Sequence, residues 1–211
     1  MTARAPVLQG IAGIVLAAGR STRMAGGSKL MSAYGDSTVI ERVVSTALGA
    51  GLEPLVVVVR DDDCDVQPKL KGKAVRFATV RGGIEGRLRS AVAGVAAVDR
   101  STVSGAVILL GDEPGLSAEQ IRAVCDAAGP GDDTVLRARF QDRPGHPVYV
   151  PDTVLRLVPD LARGYGPGTG LWDVIVRSDL AHRCVTISAV SPIDVDTRDD
   201  LARAVKRASP S

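Results

Sequence analysis

Ile14-Val-Leu-Ala-Ala-Gly-Arg-Ser-Thr-Arg-Met-Ala-Gly-Gly-Ser-Lys-Leu30 is the stretch on which the reading of the chain turns. The uncharged apolar run from Ile11 to Ala18 is bounded by glycines and predicts a fully buried strand. The chain then enters a loop that holds Gly19, Gly26 and Gly27 together with Arg20, Ser21, Thr22, Arg23 and Lys29. Glycine lets backbone amides come close to a ligand, and Arg and Lys add fixed positive charge, so these are the parts of a phosphate cradle. A surface turn with scattered basic residues is the competing reading.

Working outward, Thr38 to Ala50 carries apolar residues at helical spacing and ends at Gly51. Leu55 to Val59 is a β-branched run that predicts a buried strand, and Asp61, Asp62 and Asp63 after it read as a solvated turn. A strand over Ala74 to Val80 and a helix over Ile84 to Val98 follow. Ala106 to Leu110 is a third strong strand, running into Gly111-Asp112-Glu113-Pro114. Ser117 and Gln120 form a capping box for a helix over Ala118 to Ala128. The alternation implies βαβ units and a mainly parallel sheet covered on both faces. Ligands then sit beyond the carboxyl ends of the strands, which places Gly19 to Lys29 and Asp112 at one edge.

The second half is less regular. Strands are expected at Thr134 to Phe140, Val148 to Val150 and Cys184 to Ala189, with His146 in a rigid loop between Gly145 and Pro147. Helices are expected at Pro151 to Leu161, Leu171 to Ser178 and Arg198 to Ala208. With no linker, repeat or low-complexity segment in sight, residues 10–211 read as a single domain behind a disordered N-terminus, residues 1–9.

The totals fit that picture. The 211 residues suffice for a substantial core, and 45% hydrophobic with 24% charged content is ordinary for a soluble protein. A net charge of +2 gives no case for nucleic acid or an anionic membrane, and no apolar run reaches the length of a membrane span. Residues 1–10 lack an apolar core of signal-peptide length, so a cytoplasmic location is expected. Cys64, Cys125 and Cys184 match no zinc spacing and no disulfide framework, and read as reduced thiols.

Neither G-x-G-x-x-G nor G-x-x-x-x-G-K-[ST] occurs, which excludes the usual dinucleotide fingerprint and the P-loop. No nucleophile elbow accompanies His146 or His182. Asp112 closes a buried strand, where a carboxylate is costly unless paired or holding a cation. Mg²⁺ held between Asp112 and phosphate oxygens is therefore expected, with Asp194 and Asp196 as further ligands. Asp196 or Thr197 reads equally well as the cap of the last helix.

Leu16-Ala-Ala-Gly-Arg-Ser-Thr-Arg-Met24 with Lys29 resembles the signature of the MobA/MocA-like nucleotidyltransferases. Gly111-Asp112-x-Pro114 is similar to that family's metal aspartate motif, Gly145-His146-Pro147 to its substrate-side loop, and Asp194-Val-Asp-Thr-x-Asp-Asp200 to its C-terminal aspartate motif. The resemblance implies an α/β, Rossmann-like three-layer sandwich with a mainly parallel sheet, of the nucleotide-diphospho-sugar transferase type. It implies that Leu16, Ala17, Ala18, Gly19, Arg20, Ser21, Arg23 and Lys29 bind the nucleotide, main-chain groups of Leu16 to Gly19 holding base and ribose while Arg23 and Lys29 face the phosphates. Arg23, Lys29 and Asp112 would be the catalytic residues, Asp112, Asp194 and Asp196 the Mg²⁺ ligands, and Gly145, His146 and Pro147 the substrate contacts.

The implied reaction moves an NMP from an NTP to a phosphorylated acceptor such as molybdopterin and releases pyrophosphate, with a molybdoenzyme as a possible client. Leu16-Ala-Ala-Gly leans to the cytidylyl branch, where guanylyl relatives more often carry Leu-Ala-Gly-Gly. The chain departs from the pattern at Ala25, and at Pro167-Gly-Thr-Gly170, where relatives tend to show Gly-Asp-x-Gly. The branch is also similar to nicotine blue oxidoreductases of actinobacteria. That likeness implies an alternative, NADH- or NADPH-dependent reduction of a quinone-like heteroaromatic compound. A non-catalytic nucleotide-binding accessory protein is the third reading.

Overall fold

A computed structural model describes residues 10–19, 28–81, 86–166 and 168–208. The expected N-terminal tail, residues 1–9, and the loop positions Arg20, Ser21 and Arg23 lie outside the described residues.

The apolar run that opens the chain forms β1 (Ile11–Leu16), ending two residues before the predicted boundary. A small hairpin of β2 (Ala33–Tyr34) and β3 (Ser37–Thr38) leads into α1 (Val39–Ala50). The Thr38 hydroxyl accepts from Glu41 N while Glu41 reaches back to Thr38 N, satisfying two otherwise orphaned amides. Gly51 ends the helix at φ 91°, in the left-handed region that glycine adopts without a Cβ penalty. Then come β4 (Leu55–Arg60), α2 (Val66–Lys69), β5 (Arg76–Val80), α3 (Arg87–Ala96) and β6 (Gly105–Leu110). The carboxylates after β4 form a turn, as expected. Asp62 pairs with Arg60, and Asp63 accepts from the amides of Asp65 and Val66.

The Ser117–Gln120 box forms and starts α4 (Ala118–Asp126), which is followed by β7 (Val135–Arg139) and β8 (Pro144–Pro151). Pro151 to Leu161 is two short helices, α5 (Asp152–Leu155) and α6 (Val158–Leu161), rather than one. The chain continues through α7 (Leu171–Val176), β9 (His182–Thr186) and α8 (Arg198–Ala208).

The seven large strands lie in the order β5-β4-β1-β6-β8-β7-β9. β8 pairs antiparallel with both β6 and β7, and the other pairings are parallel. Alternation along the strands divides the core. Val15, Val57, Leu109 and Leu136 face α1, α4 and the C-terminal segment, while Ile14, Val58, Ile108 and Val148 face α3 and α7. These are three layers, the Rossmann-like sandwich expected from the sequence. Gly94 on α3 marks a close approach on one flank. A Cβ there would lie 2.4 Å from Ile14 Cγ2, so the helix backbone rests directly on β1.

One placement needs correction. The short strand Val148–Val150 is part of the eight-residue β8, and His146 belongs to that strand rather than to a rigid loop. The pairing of β7 with β8 shifts register between Arg137 and Arg139, and Pro147 falls inside that irregularity, where its missing N–H costs no ladder bond.

Candidate functional site

At the carboxyl edge β1 and β6 run side by side into their loops. Gly111 N donates to Leu16 O at 2.9 Å, and Ala17 N to Val58 O at 2.9 Å. A Cβ on Gly111 would come within 3.0 Å of the Leu16 carbonyl oxygen, so glycine permits the close approach that sets Asp112 beside the Leu16–Gly19 segment. Ala17 is buried, Leu16 and Ala18 partly so, and Gly19 is exposed at the rim, where its carbonyl accepts from Arg60 at 3.5 Å. β8 runs the other way and brings Gly145, His146 and Pro147 to this same edge.

Lys29 is where the two ends of the chain meet. Its ammonium donates to Asp112 Oδ2 at 2.5 Å and to Asp196 Oδ1 at 2.7 Å. The lysine side chain is 9% exposed, against 22% for Asp112 and 39% for Asp196. Burial pulls the Lys29 pKa down, but attraction and hydrogen bonding to Asp112, then Asp196, outweigh it and hold the ammonium above its ordinary range. Asp112 thus has the cationic partner that its burial demanded, and that partner is a lysine.

Hydrogen bonds show which residue of the C-terminal motif caps the last helix. Thr197 caps α8: Asp200 N donates to its hydroxyl, and Asp200 Oδ2 accepts from Thr197 N and Oγ1. These bonds hold the Asp200 carboxyl down at about 2. Asp196 is therefore spared from capping and turns to Lys29. Val195 N donates to Asp112 O at 2.9 Å, tying the segment to the Gly111–Pro114 turn.

Asp194 is not part of the lysine-centred set. It accepts from Arg143, whose guanidinium also donates to Ser191 Oγ at 2.9 Å and Pro192 O at 3.1 Å. Among the described residues, no group of three or more His, Cys, Asp or Glu side chains is arranged to hold a metal ion. Of the three aspartates expected as ligands, Asp112 and Asp196 meet on Lys29 and Asp194 bonds to Arg143. Two carboxylates are still a sufficient protein contribution for Mg²⁺ or Mn²⁺, which complete their shells with phosphate oxygens and water.

Sequence reasoning missed three residues here. Glu113 is 3% exposed, and its Oε2 has no hydrogen-bond partner among the described residues. Burial first, then the neighbouring Asp194 and Asp112 carboxylates, push its pKa well above the usual carboxylate range. Arg143 clamps the 191–194 segment, and Arg137 donates from Nε to Gly145 O at 3.2 Å. None has a local signature, because each acts on a residue brought in by the fold.

His146 is partly buried, facing the α3 and α7 side with Val148. Burial, then the positive charges of Arg137 and Arg87, drive its pKa down to about 3, with Asp194 opposing. Both effects favour the neutral imidazole. His182 donates to or accepts from nothing in the site. Its ring stands edge-on to Trp172 at 5.4 Å between centroids. Tyr165 lines the mouth of a separate 540 Å³ cleft between α3 and α6.

A family model described as "MobA-like NTP transferase domain" matches residues 13–184. Among solved structures, Rv0371c from Mycobacterium tuberculosis H37Rv is similar at 28% identity and a TM-score of 0.81, over 93% of this chain and 98% of that one. The same protein as a complex with manganese matches at 27% identity and a TM-score of 0.77, over 93% and 98%. A nucleotidyl transferase from Methanothermobacter shares the fold at 23% identity and a TM-score of 0.76, over 94% and 97%. No curated protein matches the chain.

Proposed function

This chain belongs to the MobA-like NTP transferase family, and from that premise we propose that it moves an NMP, with CMP preferred, from an NTP to a phosphorylated small-molecule acceptor. Pyrophosphate is the second product, and molybdopterin the type of acceptor envisaged. The observation that carries the reading is the Asp112–Lys29–Asp196 cluster at the sheet edge where β1 enters its glycine-rich basic loop. The preference for cytidine rests on Leu16-Ala-Ala-Gly alone.

In this reading the backbone of Leu16 to Gly19 seats the base and ribose, and Arg20, Ser21 and Arg23 extend that surface toward the phosphates. A phosphate oxygen of the acceptor attacks the α-phosphorus. The new P–O bond forms as the bond to the β-phosphate oxygen breaks, and pyrophosphate leaves with that electron pair. Catalysis is positioning and charge neutralisation, with no covalent enzyme intermediate. Asp112 and Asp196 would hold a divalent cation, Mg²⁺ being the one proposed and Mn²⁺ the one carried by a relative. When bound, such an ion supplies neutralisation of phosphate charge. Lys29 keeps the two carboxylates together against their mutual repulsion and leaves positive charge beside the phosphates. Gly145, His146 and Pro147 border the acceptor, with His146 offering a neutral ring nitrogen.

A cytoplasmic location, with the product handed to a molybdoenzyme, belongs to this proposal; no helix among the described residues is long and apolar enough to cross a membrane. The test is calorimetric titration with CTP, GTP, NADH and NADPH, with and without Mg²⁺ or Mn²⁺, followed by an assay for pyrophosphate. Metal-dependent binding of one NTP, lost in Asp112→Ala, is expected. Binding of NADH or NADPH that ignores the metal would replace the transferase with the oxidoreductase reading. Binding of neither class would leave a non-catalytic accessory protein.

A further inference from the structure

On the α3 and α7 side of the sheet edge, a cleft of about 120 Å³ is lined by Leu16, Ile108 and Val148 at its floor. Arg87, Arg137, His146, Trp172 and Asp173 form its polar walls. That volume is well below the roughly 300 Å³ at which pockets begin to enclose whole small molecules, so it takes a head group.

Its charges are unbalanced. Arg137 is partly buried, gives Nε to Gly145 O, and lays its guanidinium 5.0 Å from the Trp172 ring centroid. Among the described residues it makes no ion pair, and neither does Arg87. Arg87 opens α3, whose first turn holds no acidic residue. Asp173, the one acid in the wall, accepts from Gly170 N at 2.8 Å and so is engaged in starting α7. Asp173 and the Cys184 thiol act on Arg137 from a distance, while Arg143 and Arg87 repel it. A half-buried guanidinium without a carboxylate partner is unfavourable by itself, and an incoming oxyanion removes that cost.

The cleft also adjoins the reaction centre. Asp194, two residues before Asp196, and Arg143, which donates to it from the β7–β8 turn, act electrostatically on His146 in its wall. We propose that this cleft binds an oxyanion carried by the acceptor, a phosphate or a carboxylate, forked between Arg137 and Arg87 beside Trp172. The assignment of that oxyanion to the acceptor rests on the transferase reading. The cleft itself does not.

Trp172 is the sole tryptophan of the chain and lies against Arg137, so its fluorescence reports the site directly. Wild-type protein, Arg137→Met and Arg87→Met are titrated with inorganic phosphate and, separately, with acetate at matched ionic strength. A saturable change in wild type is expected, weakened about tenfold or more in each variant, as loss of a charge-assisted hydrogen bond implies. The tighter probe identifies the acceptor's head group. CTP binding with Mn²⁺ is expected to be the same in all three proteins.

A linear response, or equal affinity in wild type and both variants, overturns the proposal. A parallel fall in CTP affinity overturns it too, because the anion would then be the nucleotide's own phosphate. Saturable phosphate binding without binding of any NTP would sink the transferase reading and the acceptor assignment, while supporting the oxyanion site. Arg137→Lys, which keeps charge but not the fork, guards against misfolding and is expected to retain partial phosphate affinity.

Discussion

Lys29 Nζ lies 2.5 Å from Asp112 Oδ2, a contact between residues 83 positions apart that joins the loop after β1 to the turn after β6. The same nitrogen then reaches Asp196, 167 positions away, so one side chain holds three separate segments at the sheet edge. Removing one partner of such a pair leaves charge uncompensated, and partial exposure of the carboxylates moderates the loss. Lys29→Met is expected to lower stability by about 2 kcal/mol in metal-free buffer. Mn²⁺ should raise the melting temperature of the variant more than that of wild type, since the two carboxylates then lack their internal cation. Equal shifts in differential scanning fluorimetry would count against the carboxylate pair as a metal site.

His146 predicts an acid limb in stability. An unfolded histidine titrates near 6.5, whereas in the folded chain the group takes up its proton only at about 3. Between those values the unfolded state binds more protons, so stability is full above pH 6.5 and declines as pH falls toward 3. The contribution to the slope approaches about 1.4 kcal/mol per pH unit in the middle of that window. Urea denaturation of wild type and His146→Gln at pH 7, 5.5 and 4.5 checks it. The variant should lose less stability between pH 7 and 4.5, and parallel curves would show that the imidazole is not buried neutral.

Much of this edge was legible in the sequence. The strand from Ile11, the Gly111–Pro114 turn and the Ser117–Gln120 cap are local patterns, and local patterns survive folding. The family motifs in their order announced the sheet as well. What could not be read was every contact made across the sheet. Nothing near Lys29 distinguishes a lysine that faces phosphate from one that bridges two aspartates. Glu113 looks like a surface charge until the fold buries it, and nothing local marks Arg143 as the residue that grips the 191–194 segment. β8 was hidden for a different reason. Its prolines suppress the strand signal: Pro144 and Pro151 stand at its ends, and Pro147 falls in the register shift after Arg137.

Gly94 and Gly111 both lie close against β1, and their substitutions should separate fold from site. A Cβ on Gly94 would overlap Ile14 at 2.4 Å and crowd Val58 at 3.0 Å, so Gly94→Val is expected to cost about 1–3 kcal/mol or more by overpacking. Its remaining folded fraction should bind nucleotide normally. Gly111→Ala places its Cβ 3.0 Å from Leu16 O and 3.3 Å from Ala17 Cα, and the backbone must give a few tenths of an ångström. Here nucleotide affinity should fall more than stability. Chemical denaturation and CTP titration on both variants would reveal an error if the two effects were exchanged.

Arg143 sits at the tip of the β7–β8 turn, where Phe140 N donates to Arg143 O, and its guanidinium grips Ser191, Pro192 and Asp194. Asp142 adds to the grip, accepting from Ser191 N at 2.8 Å and Oγ at 2.7 Å. The segment so held runs directly into Val195, which bonds to Asp112 O, and into Asp196 on Lys29. Arg143 thus positions one carboxylate of the pair through five residues of backbone without touching the pair itself. Arg143→Met loses charge-assisted bonds at a largely open surface, so the expected loss of stability is modest, about 1 kcal/mol. The loss in metal affinity should be larger, because freedom gained by 191–195 is paid each time Asp196 must be placed. Mn²⁺ binding followed by calorimetry is expected to weaken about tenfold. Arg143→Lys, which can keep one of the contacts, should recover part of it. Unchanged Mn²⁺ affinity in Arg143→Met would mean that Lys29 alone fixes Asp196.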